Sequence, residues 1–168
     1  MKNTNQLIGM FNTLMVANNY PIAHSVAPDI MADLIRKPAP DEWDAQKRTA
    51  YEDIQRLIIN RLDYAEMFKI MDGLEYNGLT LYSLVQAEDG EPSWSNIYVR
   101  NVETRDNEIY VDPNLSDKVL IGEDGMSVFA YSFIGDCFQI HDKASPEYVI
   151  ESHAHFNELL SALIETVS

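Results

Sequence analysis

Cysteine and long apolar runs are scarce in this sequence. Cys137 is the single cysteine among 168 residues, so the chain can form neither an internal disulfide nor a zinc site built on cysteine pairs, and a reducing compartment is favoured. No run approaches the roughly 18 apolar residues that a membrane helix needs. The start of the chain, Met1 to Gln6, lacks the basic and then apolar layout of a signal peptide. We therefore expect a cytoplasmic protein with no membrane span.

Basic side chains are also few. Lysine and arginine number 12 against 27 aspartates and glutamates, which gives a net charge of −15, and residues 71–168 alone carry −14. A field of this sign repels phosphate backbones and anionic membranes and attracts a basic partner. Direct binding of nucleic acid or membrane is thus disfavoured and a basic protein partner is favoured. An acidic surface that serves only solubility is the alternative.

Helical periodicity dominates the first part of the chain. Apolar residues recur at helical spacing within residues 7–15, 30–35 and 43–62, and another helical stretch covers Tyr64 to Met71. After Asn77-Gly78, a dipeptide typical of tight turns, the spacing changes to the alternation of a strand. The predicted strands cover residues 79–84, 118–122, 126–133, 137–141 and 148–151.

The two ends of the sheet region carry helices. A closing helix is predicted with Ser152 as its N-cap and an apolar face from Phe156 to Ile164. Within the polar stretch 86–116, Trp94 and Tyr98 share helical spacing with two aliphatic residues and predict a short helix across the edge of the sheet. We therefore expect an α+β fold in a single domain, residues 1–168, with N-terminal helices, a twisted antiparallel sheet of five or six strands and a C-terminal helix on one face.

Three segments, taken in order, resemble segments of one superfamily. Residues 68–82 run through Asn77-Gly78 into a strand, residues 121–131 form a glycine-containing hairpin, and residues 148–160 end a strand and begin a helix. This layout resembles the SUKH superfamily of Smi/Knr-like immunity and cell-wall regulator domains. On this resemblance residues 38–168 are the SUKH-like core. Residues 1–37 are a helical N-terminal extension, closest to a YrhA-like branch.

The resemblance implies a binding function, although this sequence departs from the superfamily pattern at some positions. Superfamily members are similar to immunity proteins that neutralise toxin domains, often nucleases, and to fungal regulators of cell-wall assembly. The resemblance implies no catalytic residue, metal or cofactor. Here Met126-Ser127 follows the hairpin glycine where many members carry aspartate. Asp72 stands where asparagine is more typical. The N-terminal helices are longer, so the partner can differ from that of better-known members.

Residues able to carry chemistry form no specific signature. Cys137 and His141 on one strand lie roughly 13 Å apart, and His153 and His155 in a regular helix diverge by roughly 200°. His141 and Asp142 would add to a metal site only if the sheet brought them close. The carboxylates predicted in the first turn of a helix are explained by the helix dipole. These are Asp41, Glu42 and Asp44.

The candidate partner-binding residues are two aromatic rings within an acidic stretch. Protein interfaces favour tryptophan and tyrosine at their energetic centre. The predicted set consists of Glu88, Asp89, Glu91, Trp94, Tyr98 and Glu103. The alternative is that both rings cover the sheet edge as ordinary core. The leading hypothesis is an immunity protein that occludes a toxin domain; a housekeeping regulatory scaffold, or a small metal-dependent or cysteine hydrolase, are the others.

Overall fold

A computed structural model describes residues 1–85, 87–88, 91–92 and 94–168, with the backbone alone at 87–88 and 91–92. The helices are α1 (Thr4–Ala17), α2 (Pro28–Arg36), α3 (Ala45–Asn60), α4 (Leu62–Ala65), α5 (Ile97–Arg105) and α6 (Phe156–Val167), and a 3₁₀ turn covers Glu66–Lys69. The strands are β1 (Leu74–Tyr76), β2 (Leu79–Leu81), β3 (Ala87–Glu88), β4 (Glu91–Pro92), β5 (Val119–Glu123), β6 (Ser127–Ser132), β7 (Cys137–Asp142) and β8 (Val149–His153).

The strands form a six-stranded antiparallel sheet in the order β1-β2-β5-β6-β7-β8, and β3 pairs with β4 separately. The predicted α+β class is confirmed. Asn77 and Gly78 join β1 to β2 with φ of 53° and 85°, the left-handed conformations that a two-residue hairpin turn requires. Strand β1 was missed by the sequence prediction, because its three residues are too short to show alternation. Strand β2 ends three residues earlier than predicted.

The core joins both halves of the chain through aromatic rings. The ring of Tyr64 lies 5.2 Å from Phe68, 6.2 Å from Phe138 on β7 and 5.0 Å from Phe156 on α6. Helix α1 contributes Leu7, Ile8, Phe11 and Met15 to the same buried cluster. The N-terminal extension is therefore divided: α1 is part of the core, whereas none of the nine residues of α2, all of them described, is buried.

Helix α5 lies against the inner part of the sheet. Strand β2 pairs only with the end of β5, at Gly122 and Glu123. Nearer the beginning of β5, the hydrogen bonds come from Asn101 of α5. The Asn101 side chain donates to the Leu120 carbonyl at 2.9 Å and accepts from the Leu120 N–H at 2.8 Å. This buried amide takes the place of a strand at that point and fixes α5 on the sheet.

The predicted start of the closing helix was wrong. Strand β8 continues through His153, and α6 begins at Phe156 with His155 as its N-cap. Ser152 therefore lies in a strand. The first amide of the helix is satisfied from far away in the sequence, because the Phe156 N–H donates to the carboxylate of Asp63 at 2.7 Å. Such a cap cannot be found by local sequence rules.

The carboxylates predicted in the first turn of the third helix also lie differently. Asp44 is the N-cap of α3 and accepts a hydrogen bond from the Lys47 N–H at 2.8 Å. Asp41 and Glu42 precede the helix. Their charge therefore lies outside the first turn, and the N-cap hydrogen bond explains only Asp44.

Candidate functional site

An open apolar groove lies between α2, the start of α3, the segment Leu84–Val85 and α5. Its volume is about 600 Å³. An adjoining hollow of about 530 Å³ shares Ile30 and Val85 with it. The groove is lined by Ile30, Leu34, Trp43, Lys47, Tyr51, Leu84, Val85, Asn96, Tyr98, Val99, Val102 and Glu103. We call this feature the aromatic groove.

Three aromatic rings follow one another along the groove. Trp43 meets Tyr51 edge-on, with ring centroids 5.4 Å apart, and Tyr51 meets Tyr98 at 5.5 Å. The ammonium of Lys47 lies 4.3 Å from the centre of the Trp43 ring, a cation–π geometry that covers the ring at one end. The groove thus offers flat aromatic surface with one cation and, at Glu103, one carboxylate.

Hydrogen bonds from α3 hold α2 as one wall of the groove. The Gln55 side chain donates to the carbonyls of Leu34 and Lys37 at 2.8 and 2.6 Å, and the Tyr51 hydroxyl donates to the Lys37 carbonyl at 3.0 Å. These bonds hold the end of α2, whose apolar side chains stay only partly covered. One consequence is that Ile30 is 40% exposed at the mouth of the groove.

The opposite wall is fixed by the cap of α5. The side chain of Asn96 accepts hydrogen bonds from the Tyr98 and Val99 N–H groups at 2.9 and 3.3 Å and donates to the Leu84 carbonyl at 3.2 Å. The Ile97 N–H donates to the Ser83 carbonyl at 2.8 Å. This arrangement orients the first turn of α5 so that Tyr98, Val99 and Val102 line the groove.

Burial controls the ionisation of the tyrosines. Desolvation raises the pKa of Tyr98, and the neighbouring Tyr51 adds to the rise. Desolvation also raises the pKa of Tyr51, although Lys37 and Gln55 oppose it. The Tyr98 hydroxyl oxygen is buried and, within the described part of the chain, has no hydrogen-bond partner. Both hydroxyls are therefore neutral near pH 7, and neither is activated as a base or nucleophile.

The chain is similar to a protein of Escherichia coli. The chain is 30% identical over 136 residues to the uncharacterized protein YrhA of Escherichia coli (strain K12), an alignment that covers 79% of this chain and 91% of YrhA. The chain belongs to the YrhA family. No protein-family model matches it, and no solved structure matches it.

In this member of the YrhA family, the structure brings together two of the six predicted partner-binding residues. Tyr98 and Glu103 both line the aromatic groove. Trp94 precedes α5, is 54% exposed and lies outside the described lining, so its ring is not core. The backbones of Glu88 and Glu91 face each other across β3 and β4, and Asp89 lies outside the described residues.

The residues of the hydrolase alternative are spread over the sheet. His141 is buried on β7, with its ring nitrogens 2.7 Å from the Pro146 carbonyl and 2.9 Å from the Gln139 side chain. His153 on β8 pairs with Phe138 on β7. Phe138 and His141 are three positions apart on β7 and therefore point to opposite faces of the sheet. His153 thus lies on the face opposite to His141. His155 is exposed. Within the described residues no three histidine, cysteine, aspartate or glutamate side chains are grouped as a metal site would require.

A second concentration of charge lies where α3 ends, and we call it the Arg61 junction. The guanidinium of Arg61 bonds Asp63 at 3.0 Å, Asp136 at 3.0 Å and the Ala154 carbonyl at 2.7 Å. The Tyr131 hydroxyl donates to the same Asp136 carboxylate. The junction ties the end of α3 to the β6–β7 turn and to the start of α6.

Charge pairing sets the pKa values within the Arg61 junction. Burial alone would raise the pKa of Asp63, but hydrogen bonds from Arg61 and from the Phe156 N–H outweigh it and hold that pKa below its usual value. The Tyr131 hydroxyl and the Arg61 guanidinium lower the pKa of Asp136. Both carboxylates are therefore charged at neutral pH, and both are paired with Arg61.

Several groove residues were assigned to the core by their spacing. The sequence predicts Ile30, Leu34 and Trp43 on apolar helix faces that are buried. In the structure Ile30 and Leu34 lie on α2, but Trp43 precedes α3. All three line the open groove. The sequence signal for an open groove was weak: α2 has one short apolar face and lies between two proline-containing connectors.

Within the described residues no helix has the length and apolarity to cross a membrane.

Proposed function

We propose that this chain is a cytoplasmic protein-binding module, not an enzyme, and that the aromatic groove receives an apolar side chain of its partner. The supporting observation is the groove itself, an open aromatic hollow of about 600 Å³ with few charges. Interfaces concentrate their binding energy where a buried anchor enters such a hollow. The groove carries no histidine or cysteine among its described lining residues, so its surface suits binding better than bond cleavage.

The proposed partner is a basic toxin domain, such as a nuclease, which the module neutralises by occlusion. Two sequence features support this choice. The net charge of −15 favours association with a basic protein, and the resemblance to SUKH domains implies immunity proteins. Apolar anchoring in the groove would slow dissociation, while the net negative charge of the chain would speed encounter with a basic partner.

The test is capture of a partner with matched variants. The bait is the full chain, exposed to lysate of the source cell and to the products of neighbouring genes. Ile30→Glu puts a charge at the mouth of the groove. Ile109→Glu makes the same change at a residue that is 95% exposed and outside the described groove lining. We expect the first variant to weaken association at least roughly tenfold, about 1.4 kcal/mol, and the second to leave it unchanged.

The immunity function has its own readout. The captured protein is produced alone and with this chain, and growth or nuclease activity is measured. Inhibition at about equal molar amounts, weakened by Glu103→Lys and by added salt, is the expected result. A captured protein without toxic activity would instead favour the regulatory scaffold. Equal capture by Ile30→Glu and the unaltered chain would contradict the groove as the binding site.

A further inference from the structure

The two edges of the sheet differ in how they are covered. At the β1 edge, Tyr76 is buried, its ring lies 4.8 Å from Tyr20, and its hydroxyl accepts from the Asn18 side chain at 3.1 Å. The chain before α2 lies beside the start of this edge, because the Asp72 N–H, two residues before β1, donates to the His24 carbonyl at 2.9 Å. Strand β8 forms the other edge, and among the described strands it pairs with β7 alone.

The β8 edge exposes apolar side chains that a strand in a closed fold would bury. Tyr148, Val149 and Ile150 are all exposed, and Ile150 is 55% exposed. The pairing register of β8 with β7 shifts at Ile150, so that Val149 faces His141 while Glu151 faces Ile140. The bulge turns Ile150 out of the regular alternation. Beyond the bulge, Glu151 to His153 pair regularly with β7, and an open edge of this kind, with apolar side chains beside it, is a template for one more strand.

The sequence around β8 carries charged side chains of one sign. Residues 144–168 contain Glu147, Glu151, Glu158 and Glu165 and no lysine or arginine. Helix α6, which carries two of these glutamates, packs against β8. Two cations from elsewhere in the chain are already paired: Lys143 with Glu123 at 2.7 Å, and Arg61, which bonds the Ala154 carbonyl after β8, with two carboxylates. A second copy of the chain on this edge would bring like charges together, whereas a segment bearing lysine or arginine would meet opposite charges.

We propose that the outer edge of β8 accepts an extended lysine- or arginine-bearing segment of a partner protein as an additional strand. Main-chain hydrogen bonds to β8 would supply affinity, and contacts with Val149, Ile150 and Glu151 would supply selectivity. The inference rests on the proposed function in one respect only, that the occupant is a protein. It names a second contact surface, separate from the aromatic groove.

The test uses the full isotope-labelled chain and a synthetic peptide of alternating lysine and valine, about six residues long, the usual length of a strand. The control peptide has the same side chains but a methyl group on every backbone nitrogen, which removes its hydrogen-bond donors. Amide chemical shifts are followed during titration with each peptide. We expect the amides of Val149–His153 to shift with the first peptide and not with the second.

Two variants separate this edge of the sheet from the opposite one. Glu151→Lys reverses a charge on β8 and is expected to weaken binding of the peptide roughly tenfold. Glu75→Lys makes the same reversal at an exposed residue of β1, on the opposite edge of the sheet, and is expected to leave peptide binding unchanged. Four results would overturn the proposal: no shift in any amide, shifts confined to the groove residues, equal binding of the methylated peptide, or concentration-dependent pairing of the free chain through β8.

The result is distinguishable from that of the partner-capture test. Peptide binding at β8 combined with partner capture that ignores Ile30→Glu would leave the edge proposal standing and remove the groove. Partner capture that depends on Ile30, without peptide binding at β8, would do the reverse.

Discussion

The Arg61 junction and the aromatic groove both combine a cation with a tyrosine, but they differ in how these polar groups are satisfied. At the junction one guanidinium is bonded to two carboxylates and a carbonyl, and the hydroxyl of Tyr131 donates to Asp136. In the groove the Lys47 ammonium lies over a tryptophan ring, and the hydroxyl of Tyr98 has no partner among the described residues.

The difference shows which of the two regions maintains the fold. Buried polar groups that are fully paired are costly to break, because each remaining partner is left buried and unpaired. Surfaces that expose aromatic carbon and leave a hydroxyl unpaired contribute less to stability and more to binding. We therefore expect substitutions at the junction to lower the free energy of unfolding, and substitutions in the groove to affect association.

The largest effect is expected from Arg61→Ala. The change leaves the Asp63 carboxylate without its cation and removes the guanidinium that lies 4.8 Å from the Phe138 ring. We expect the free energy of unfolding at pH 7 to fall by about 3–5 kcal/mol in urea denaturation. The control is Arg56→Ala, an exposed arginine 4.1 Å from the Phe133 ring, with an expected loss below about 1 kcal/mol. Equal losses in the two variants would contradict the assignment.

A smaller effect is expected from Asp63→Asn, together with a change in pH dependence. The amide keeps the shape of the side chain but weakens the bonds to Arg61 and to the Phe156 N–H, at a cost of about 1–3 kcal/mol at pH 7.

The sign of the pH dependence follows from the lowered pKa values of Asp63 and Asp136. A carboxylate whose pKa is lower in the folded chain than in the unfolded chain stabilises the fold above its unfolded pKa of roughly 4, and that stabilisation is lost as the pH falls through the folded pKa. Urea denaturation between about pH 6 and pH 3 should show a steep decline for the unaltered chain and a shallower one for Asp63→Asn. Identical slopes would count against the pairing.

The smallest effect is expected when one hydroxyl oxygen is removed from a tyrosine, either in the aromatic groove or in the Arg61 junction. Tyr98→Phe removes a hydroxyl that has no partner among the described residues, so the free energy of unfolding should change by less than about 1 kcal/mol, toward higher stability. Tyr131→Phe removes the same atom from a hydroxyl that donates to Asp136 and should destabilise the fold. Thermal denaturation of both variants measures the difference. A larger loss for Tyr98→Phe would mean that the groove hydroxyl, and not the junction hydroxyl, stabilises the fold.

Much of the fold could be predicted from local pattern. The spacing of apolar residues predicted the helices and most strands, since periodicity reflects which face of an element is buried. The Asn77-Gly78 turn could be predicted because both residues tolerate positive φ, as the structure confirms. Helix α5 was predicted from Ile97, Tyr98 and Val102, although Trp94 lies before it.

The beginning of α6 could not be predicted in the same way. Ser152 is a typical N-cap residue, but the amide of Phe156 bonds Asp63, which lies 93 positions earlier in the chain. A local rule considers only neighbouring residues and therefore selects the nearest serine. The same limit applies to His153, whose place at the end of β8 depends on pairing with β7.

The sequence by itself determined the order of the helices and of five of the eight described strands, the sign of the charge and the absence of an internal disulfide, because these depend on composition and on residues close together in the chain. Only the tertiary structure decided which apolar faces stay open. The aromatic groove joins residues from Ile30 to Glu103, and the Arg61 junction joins residues from Arg61 to Ala154. Whether a side chain is covered or exposed depends on elements far apart in sequence, so apolar residues at helical spacing become core in α1 and an open wall in α2.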